Sequence, residues 1–262
     1  MVTLQGVEET MLIPLSIKAN ETLRKKPRIR DKKAVEIIQK LQIDTTKYDK
    51  FMSHEGVVAR TILFDKALNA ILKKIPDAVC VCIGCGLDAR FERVDNGKIL
   101  WYDLDLPNVM EIRKQYFEQK QRVFTIAKSV FDPSWIEEVV KDKTTIFIIE
   151  GVLMYFREEQ VRNLLNVLCE NFPKSIFLLE LSPPFLKKFG NHHDTVKNTT
   201  ATFQWGIDTA KELEQYVKGL QLVEEKSFNC EMQKYSFRAK IFATLPFTKN
   251  LNNRFAIYKY KK

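Results

Sequence analysis

The chain has 262 residues, is 45% hydrophobic and 29% charged, and carries a formal net charge of +9. That length and apolar share suit one large α/β domain with a full core, and exclude a disordered chain or a small disulfide scaffold. The longest apolar run, Ile146 to Phe156, is interrupted by Glu150 and too short to cross a bilayer, and no basic-then-apolar leader opens the chain, so a cytoplasmic protein without a membrane partner is expected.

From Thr10 to Leu23 apolar residues recur at near-helical spacing. Pro27 breaks the pattern, and Asp31 can cap a second helix through about Leu41. The run Arg24 to Lys33 is the densest in positive charge, but without interleaved aromatics it reads as a solvated helix end and turn, and no nucleic-acid partner is expected. A third helix is predicted from about His54 to Ile75, with Ser53 as its cap and Pro76 as its stop. The run Val79 to Ile83 is uncharged, rich in β-branched residues and without polar alternation, the pattern of a strand buried on both faces of a parallel sheet. Gly84 and Gly86 follow it, where missing Cβ atoms permit a sharp turn and close approach of a ligand.

Beyond this point strands near 98–102, 122–127, 144–149 and 175–181 alternate with helices near 107–118, 133–141 and 157–171. The rhythm is that of βαβ units, hence a parallel, doubly wound sheet. Asp103 and Asp105 close the second strand roughly 20 residues after the glycines, where ribose hydroxyls are usually gripped. Residues 182–207 have no clear period and read as a binding loop or lid. Asp208 can cap a helix to about Lys218, and strand-like runs at 220–228 and 254–260 bring the strand count to seven. The five cysteines form no disulfide framework, and Cys82-x-x-Cys85 lacks a second pair to complete a zinc site, so reduced thiols and no metal are expected.

Taken in order, ARTILFD, IGCGLDAR, WYDLDLP, SVFDPSW and IEGVLMYF resemble the leucine carboxyl methyltransferase family of class I S-adenosylmethionine-dependent methyltransferases, especially its branch similar to the tetracenomycin polyketide O-methyltransferases. The resemblance implies a Rossmann-like seven-stranded sheet whose last strand is antiparallel, within a single domain over 1–262. Residues 1–52 would form a helical cover and 182–207 a lid insertion after strand 5. S-adenosyl-L-methionine would be the cofactor. Carried over by motif, Gly84, Cys85 and Gly86 would lie against its methionine part, Asp105 on the ribose, and Ser129 and Val130 beside the adenine. Arg60 would face the cofactor carboxylate, with Glu150 beneath its amino-acid end. Without the resemblance, Arg60 and Glu150 read as a buried ion pair and Asp103 as a strand-end surface carboxylate. The implied reaction is methyl transfer to a carboxylate or hydroxyl of a small molecule.

Two alternatives stand beside it. Ser182-Pro183-Pro184-Phe185 superficially matches a nucleic-acid N-methyltransferase motif, but it follows the fifth strand where those enzymes carry it after the fourth. A cofactor-binding scaffold without activity also fits the fold. The acceptor site is expected from the 182–207 insertion, with Tyr155 as its floor; Phe203 and Trp205 fit either an aromatic wall of that site or ordinary core packing. His192, His193 and Asp194 form the chain's sole two-histidine cluster. Adjacent residues rarely converge on one metal, which leaves a general base, with His193 in that role and His192 and Asp194 beside the acceptor, or a loop tied down by its own hydrogen bonds.

Overall fold

The computed structural model describes residues 10–189, 202–245 and 251–262. Helices α1 (Leu12–Thr22), α2 (Lys32–Leu41) and α3 (Phe51–Lys74) precede the sheet. Strands β1 (Val79–Ile83), β2 (Leu100–Asp105), β3 (Val123–Ala127), β4 (Thr145–Ile149) and β5 (Lys174–Leu181) then alternate with α4 (Arg90–Val94), α5 (Pro107–Arg113), a 3-10 turn at Pro133–Glu138 and α6 (Glu158–Asn171). After α7 (Phe185–Phe189) come β6 (Leu220–Ser227), α8 (Asn229–Met232), α9 (Phe237–Thr244) and β7 (Arg254–Lys261). The strand order is β3-β2-β1-β4-β5-β7-β6, with β7 antiparallel to both neighbours. This is the expected doubly wound, Rossmann-like sheet with its last strand reversed.

The side-chain period of two divides β1 between two cores. Val79, Val81 and Ile83 face Trp135, Leu164 and Phe177 on one side, while Cys80 and Cys82 face Phe64, Leu68 and Trp101 on the other. Both faces are dry, which is why the strand reads as a continuous apolar run. The pairings Ile83↔Leu104 and Ile83↔Ile149 bring the residues just beyond them, Gly84, Asp105 and Glu150, to one level on three adjacent strands. Connections leave β1 and β4 in opposite directions across the sheet, so this level is a topological switch point, where open α/β sheets bind ligands.

Several sequence expectations shift. Helix α3 begins at Phe51 with Lys50 as its N-cap, and Ser53 lies inside the first turn. The start moves back because Asp49 Oδ1 binds His54 Nδ1 at 2.7 Å, fixing that turn from outside. The 133–141 helix contracts to a 3-10 turn that Asp132 caps through the Ser134 amide. Thr209, rather than Asp208, caps the 3-10 segment Ala210–Gln215, through a reciprocal bond with Glu212. Asp103 is a buried residue inside β2, not a surface carboxylate: it accepts from Trp101 Nε1 at 2.8 Å and from Arg113 Nη2 at 2.7 Å. The short helices α4, α8 and α9 have too little periodicity to be visible in the sequence.

The amino-terminal helices are fastened to α3 by a buried charge cluster. Arg28 bridges Glu21 and Glu55, so part of the basic run is interior structure. His54 sits between Asp49 and Glu21, 2.7 and 2.8 Å from their oxygens. Burial pulls its pKa down, but the two carboxylate hydrogen bonds outweigh burial and leave it raised above 6.5. A raised histidine contributes stability in full below its unfolded pKa and loses it as pH rises through the folded one. On the acid side, burial raises the Glu21 carboxyl and the Arg28 and His54 bonds more than reverse this, lowering it from 4.5 to about 2. Its contribution is therefore complete above pH 4.5 and fades towards pH 2. Urea denaturation is expected to show greatest resistance between these limits and a decline above neutrality, and His54→Gln should flatten that alkaline limb. An unchanged limb in the variant would remove His54 as its source.

Candidate functional site

At the carboxyl ends of the central strands the chain encloses a cavity of about 890 Å³. Arg60, Gly84, Cys85, Gly86, Asp105, Ser129, Val130, Glu150 and Tyr155, chosen from sequence, all line it. His192, His193 and Asp194 lie outside the described residues. Phe203 is in the cavity wall, but Trp205 is not: it is buried in the core, where its indole N–H reaches Tyr216.

The glycine loop is shaped by steric need. Gly84 has φ +69°, and a Cβ there would collide with Val152. Its amide donates to Leu104 O at 2.8 Å, and Gly86, at φ +48°, donates to Asp105 Oδ2 at 2.8 Å. The second Asp105 oxygen accepts from the Leu106 amide at 2.8 Å. Burial pushes the Asp105 carboxyl up, against the lowering effect of these amides. Arg113, from the end of α5, donates to the carbonyls of Gly86 and Asp88, both at 2.9 Å, while holding Asp103. It staples the loop to β2, a role that a helix-terminal arginine does not announce in sequence. Cys82 and Cys85 are buried, and burial raises both thiols far above their ordinary range, so they are inert walls.

Opposite the loop lies an ionic network. Arg60 Nη1 binds Glu180 Oε2 at 2.9 Å, and its Nε lies 2.7 Å from Glu150 Oε1 without pointing its hydrogen at that oxygen. Glu150 also binds Arg90, which reaches on to Asp65 and Asp88. The buried-pair reading of Arg60 and Glu150 is thus correct as geometry, and both nevertheless face the cavity. Burial raises the Glu150 carboxyl, but Arg90 and Arg60 more than reverse this, so it stays ionised. Lys18, brought by α1, binds Asp88 at 2.7 Å and also lines the cavity. Sequence reading missed Lys18, Arg90 and Glu180. Arg90 lay within the IGCGLDAR motif, but Lys18 and Glu180 are joined to the site only by packing.

Ser129 Oγ accepts from the Phe131 amide at 3.3 Å, and Phe131 meets Phe156 edge to face beside it. Apolar side chains complete the wall: Met11, packed over Gly86, and Val57, Phe185, Leu186 and Phe203. Tyr155 lines the cavity beside Phe203, its ring centre 5.4 Å from that of Phe203. The insertion after β5 leaves and returns at one point, where the Ile207 amide donates to Ser182 O at 2.8 Å. Among the described residues no group of three or more His, Cys, Asp or Glu is placed to hold a metal, and no helix is long and apolar enough to cross a membrane.

The tetracenomycin polyketide synthesis O-methyltransferase of Streptomyces glaucescens is 28% identical over 86% of this chain and 84% of its own. An S-adenosyl-L-methionine-dependent methyltransferase of Gibberella zeae is 24% identical over 85% of this chain and 83% of its own. Among solved structures, a DUF574 family protein from Streptomyces avermitilis superposes with a TM-score of 0.60 at 13% identity, over 95% of this chain and 97% of that one. An O-methyltransferase family protein from Burkholderia thailandensis does so with a TM-score of 0.52 at 12% identity, over 97% and 72%. At such identities these two structures establish the fold alone. Residues 14–169 match the leucine carboxyl methyltransferase family. Because that match spans more than half of the chain and takes in most of α1, the glycine loop and the ends of β1, β2 and β4, all of which line the cavity, the chain belongs to the leucine carboxyl methyltransferase family of S-adenosylmethionine-dependent class I methyltransferases.

Proposed function

We propose that the protein transfers a methyl group from S-adenosylmethionine to an oxygen, carboxylate or hydroxyl, of a small molecule. The observation that carries this reading is a single cavity at the strand ends whose wall holds the glycine loop, Asp105, Arg60 and Glu150 together with apolar side chains, Phe185, Leu186 and Phe203 among them, from the described parts of the β5 insertion. The O-methyltransferase of Streptomyces glaucescens, similar over most of both chains, supports oxygen as the acceptor atom. The residues 1–52 act as a cover and 182–207 as a lid on a single domain, in keeping with α1 lying over Gly86 and Lys18 binding Asp88.

When bound, S-adenosylmethionine supplies a methyl carbon made electrophilic by its sulfonium. The residues present suit such a group. Gly84, Cys85 and Gly86 offer backbone without side-chain bulk at the two glycines, and Asp105, held by two amides, has lone pairs left for ribose hydroxyls. The buried Nε–H of Arg60 has no hydrogen-bond acceptor and suits a carboxylate, while the ionised Glu150 suits an ammonium group. Ser129 and Val130 flank the place for the adenine. What remains for the protein is to hold the acceptor oxygen in line and keep water out. Burial pushes the Tyr155 hydroxyl up, against the lowering effect of its bond to Thr10. Tyr155 thus stays protonated at neutral pH, a group that orients the acceptor but takes no proton.

A carboxylate acceptor needs no base. A hydroxyl does, and His193, with His192 and Asp194 beside the acceptor, is the residue proposed for it. Release of S-adenosylhomocysteine over a panel of acidic and phenolic molecules tests the reading. Cofactor binding without turnover across the panel would favour the silent scaffold. With a hydroxyl acceptor, His193→Gln is expected to lower turnover by roughly 10²–10⁴-fold while cofactor binding by calorimetry is retained. Unaltered turnover from about pH 6 to 9 would rule His193 out as the base.

A further inference from the structure

Helix α9 presents an apolar stripe to solvent. Phe237 is 78% exposed, Ile241 44% and Leu245, just past the helix end, 47%. These residues are spaced by four and so fall on one side, while Ala239 on the opposite side is fully buried. The stripe does not stand alone. Tyr235 is half exposed just before the helix, and Phe51, 44% exposed at the start of α3, lies under Arg238 at 5.7 Å from its ring centre. Scattered exposed apolar residues are ordinary, but a contiguous group headed by a phenylalanine marks a contact surface.

Charge identifies the partner. From Met232 to the carboxyl terminus the sequence contains no Asp or Glu. Arg238 and Lys240, on α9 itself, are exposed. The acid nearest the stripe in sequence, Glu231, is buried and bound by Lys66 and Lys234. An apolar stripe within a rim of positive charge matches an anionic surface with hydrocarbon just beneath it. A second copy of this chain would set the same cations against one another. We propose that α9, with Tyr235 and Phe51, docks the protein on an anionic lipid bilayer, lying in the interface and not crossing it. The sequence expectation of no membrane partner rested on the lack of a spanning run, a criterion blind to a surface helix. Docking there would also bring the cavity near the bilayer, because Met52, next to Phe51, and Leu251 both line it. An apolar acceptor dissolved in lipid would then have a short path to the site.

The test is flotation of the full chain with vesicles of phosphatidylcholine alone and with phosphatidylglycerol added. Binding is expected only to the anionic vesicles and should weaken as salt rises. The pair Arg238→Gln, Lys240→Gln is expected to lower the partition coefficient roughly thirtyfold. The pair Phe237→Ser, Ile241→Ser should lower it roughly tenfold or more, since the apolar contact is lost. None of these four residues lines the cavity, so S-adenosylhomocysteine binding by calorimetry should be unchanged and serves as the control for folding. No binding to anionic vesicles, equal binding to neutral ones, or binding that survives the serine pair would overturn the proposal. So would a dimer in solution that the serine pair dissolves, which would make the stripe a self-association surface.

Discussion

Arg90→Met is expected to destabilise the protein by about 3–5 kcal/mol at neutral pH, the range for removing one partner from a buried ion pair. The Arg90 side chain is 1% exposed and spreads its guanidinium over Asp65, Asp88 and Glu150 from a position above the Phe64 ring. Each carboxylate keeps a second cation, in Arg93, Lys18 and Arg60 respectively, which sets the expectation at the lower end of the range. Methionine fills part of the volume but answers none of the charge. Burial raises the Asp88 carboxyl, yet Lys18, Arg93 and Arg90 together hold it well below its ordinary 3.8. A lowered carboxyl contributes stability above its unfolded pKa and loses it on acidification. The gap between wild type and variant should therefore be widest at neutral pH and narrow as pH falls below about 4, as read by urea denaturation. Arg90→Lys is expected to fall between the two, since an ammonium cannot face three carboxylates at once. A constant gap at all pH values would assign the loss to packing rather than charge.

Asp105→Ala is expected to weaken S-adenosylmethionine binding by roughly 1.5–3 kcal/mol, about 10- to 150-fold, through loss of a charged acceptor for the ribose and of the ties to Gly86 and Leu106. Asp105→Asn separates the two contributions. Because burial raises the native carboxyl, its ionised form weighs against folding at every pH above the raised value. The asparagine variant sheds that penalty but keeps an acceptor for only one of the two amides, so its thermal melt should lie between those of the alanine variant and wild type while it still binds the cofactor poorly by calorimetry. Normal affinity in both variants would dissociate Asp105 from the ribose. Stability in the asparagine variant as low as in the alanine one would show that the main task of Asp105 is to hold the loop.

The central strand was legible because burial on both faces leaves a local trace, a run of Val79 to Ile83 with no polar alternation. The glycine loop was legible because its backbone excludes side chains: the left-handed φ of Gly84 and the crowding by Val152 leave room for hydrogen alone. Asp105 and Glu150 could be placed for the same reason, since each ends a strand whose pattern is local. Helix starts set by distant or sideways contacts were misread, as at Ser53, where the pairing of Asp49 with His54 moved the boundary.

By itself, then, the sequence determined the alternation of strands and helices, the count of seven strands and the motif positions on the strand ends, because hydrophobic period and backbone sterics act over a few residues. Only the tertiary structure decided how charge is distributed. Lys18 and Asp88 are 70 residues apart in the chain and Arg60 and Glu180 are 120 apart, and no local pattern couples them. The same holds for surfaces: Trp205 entered the core while Phe237 stayed in solvent, a choice between equally apolar side chains made by which of them another element covers.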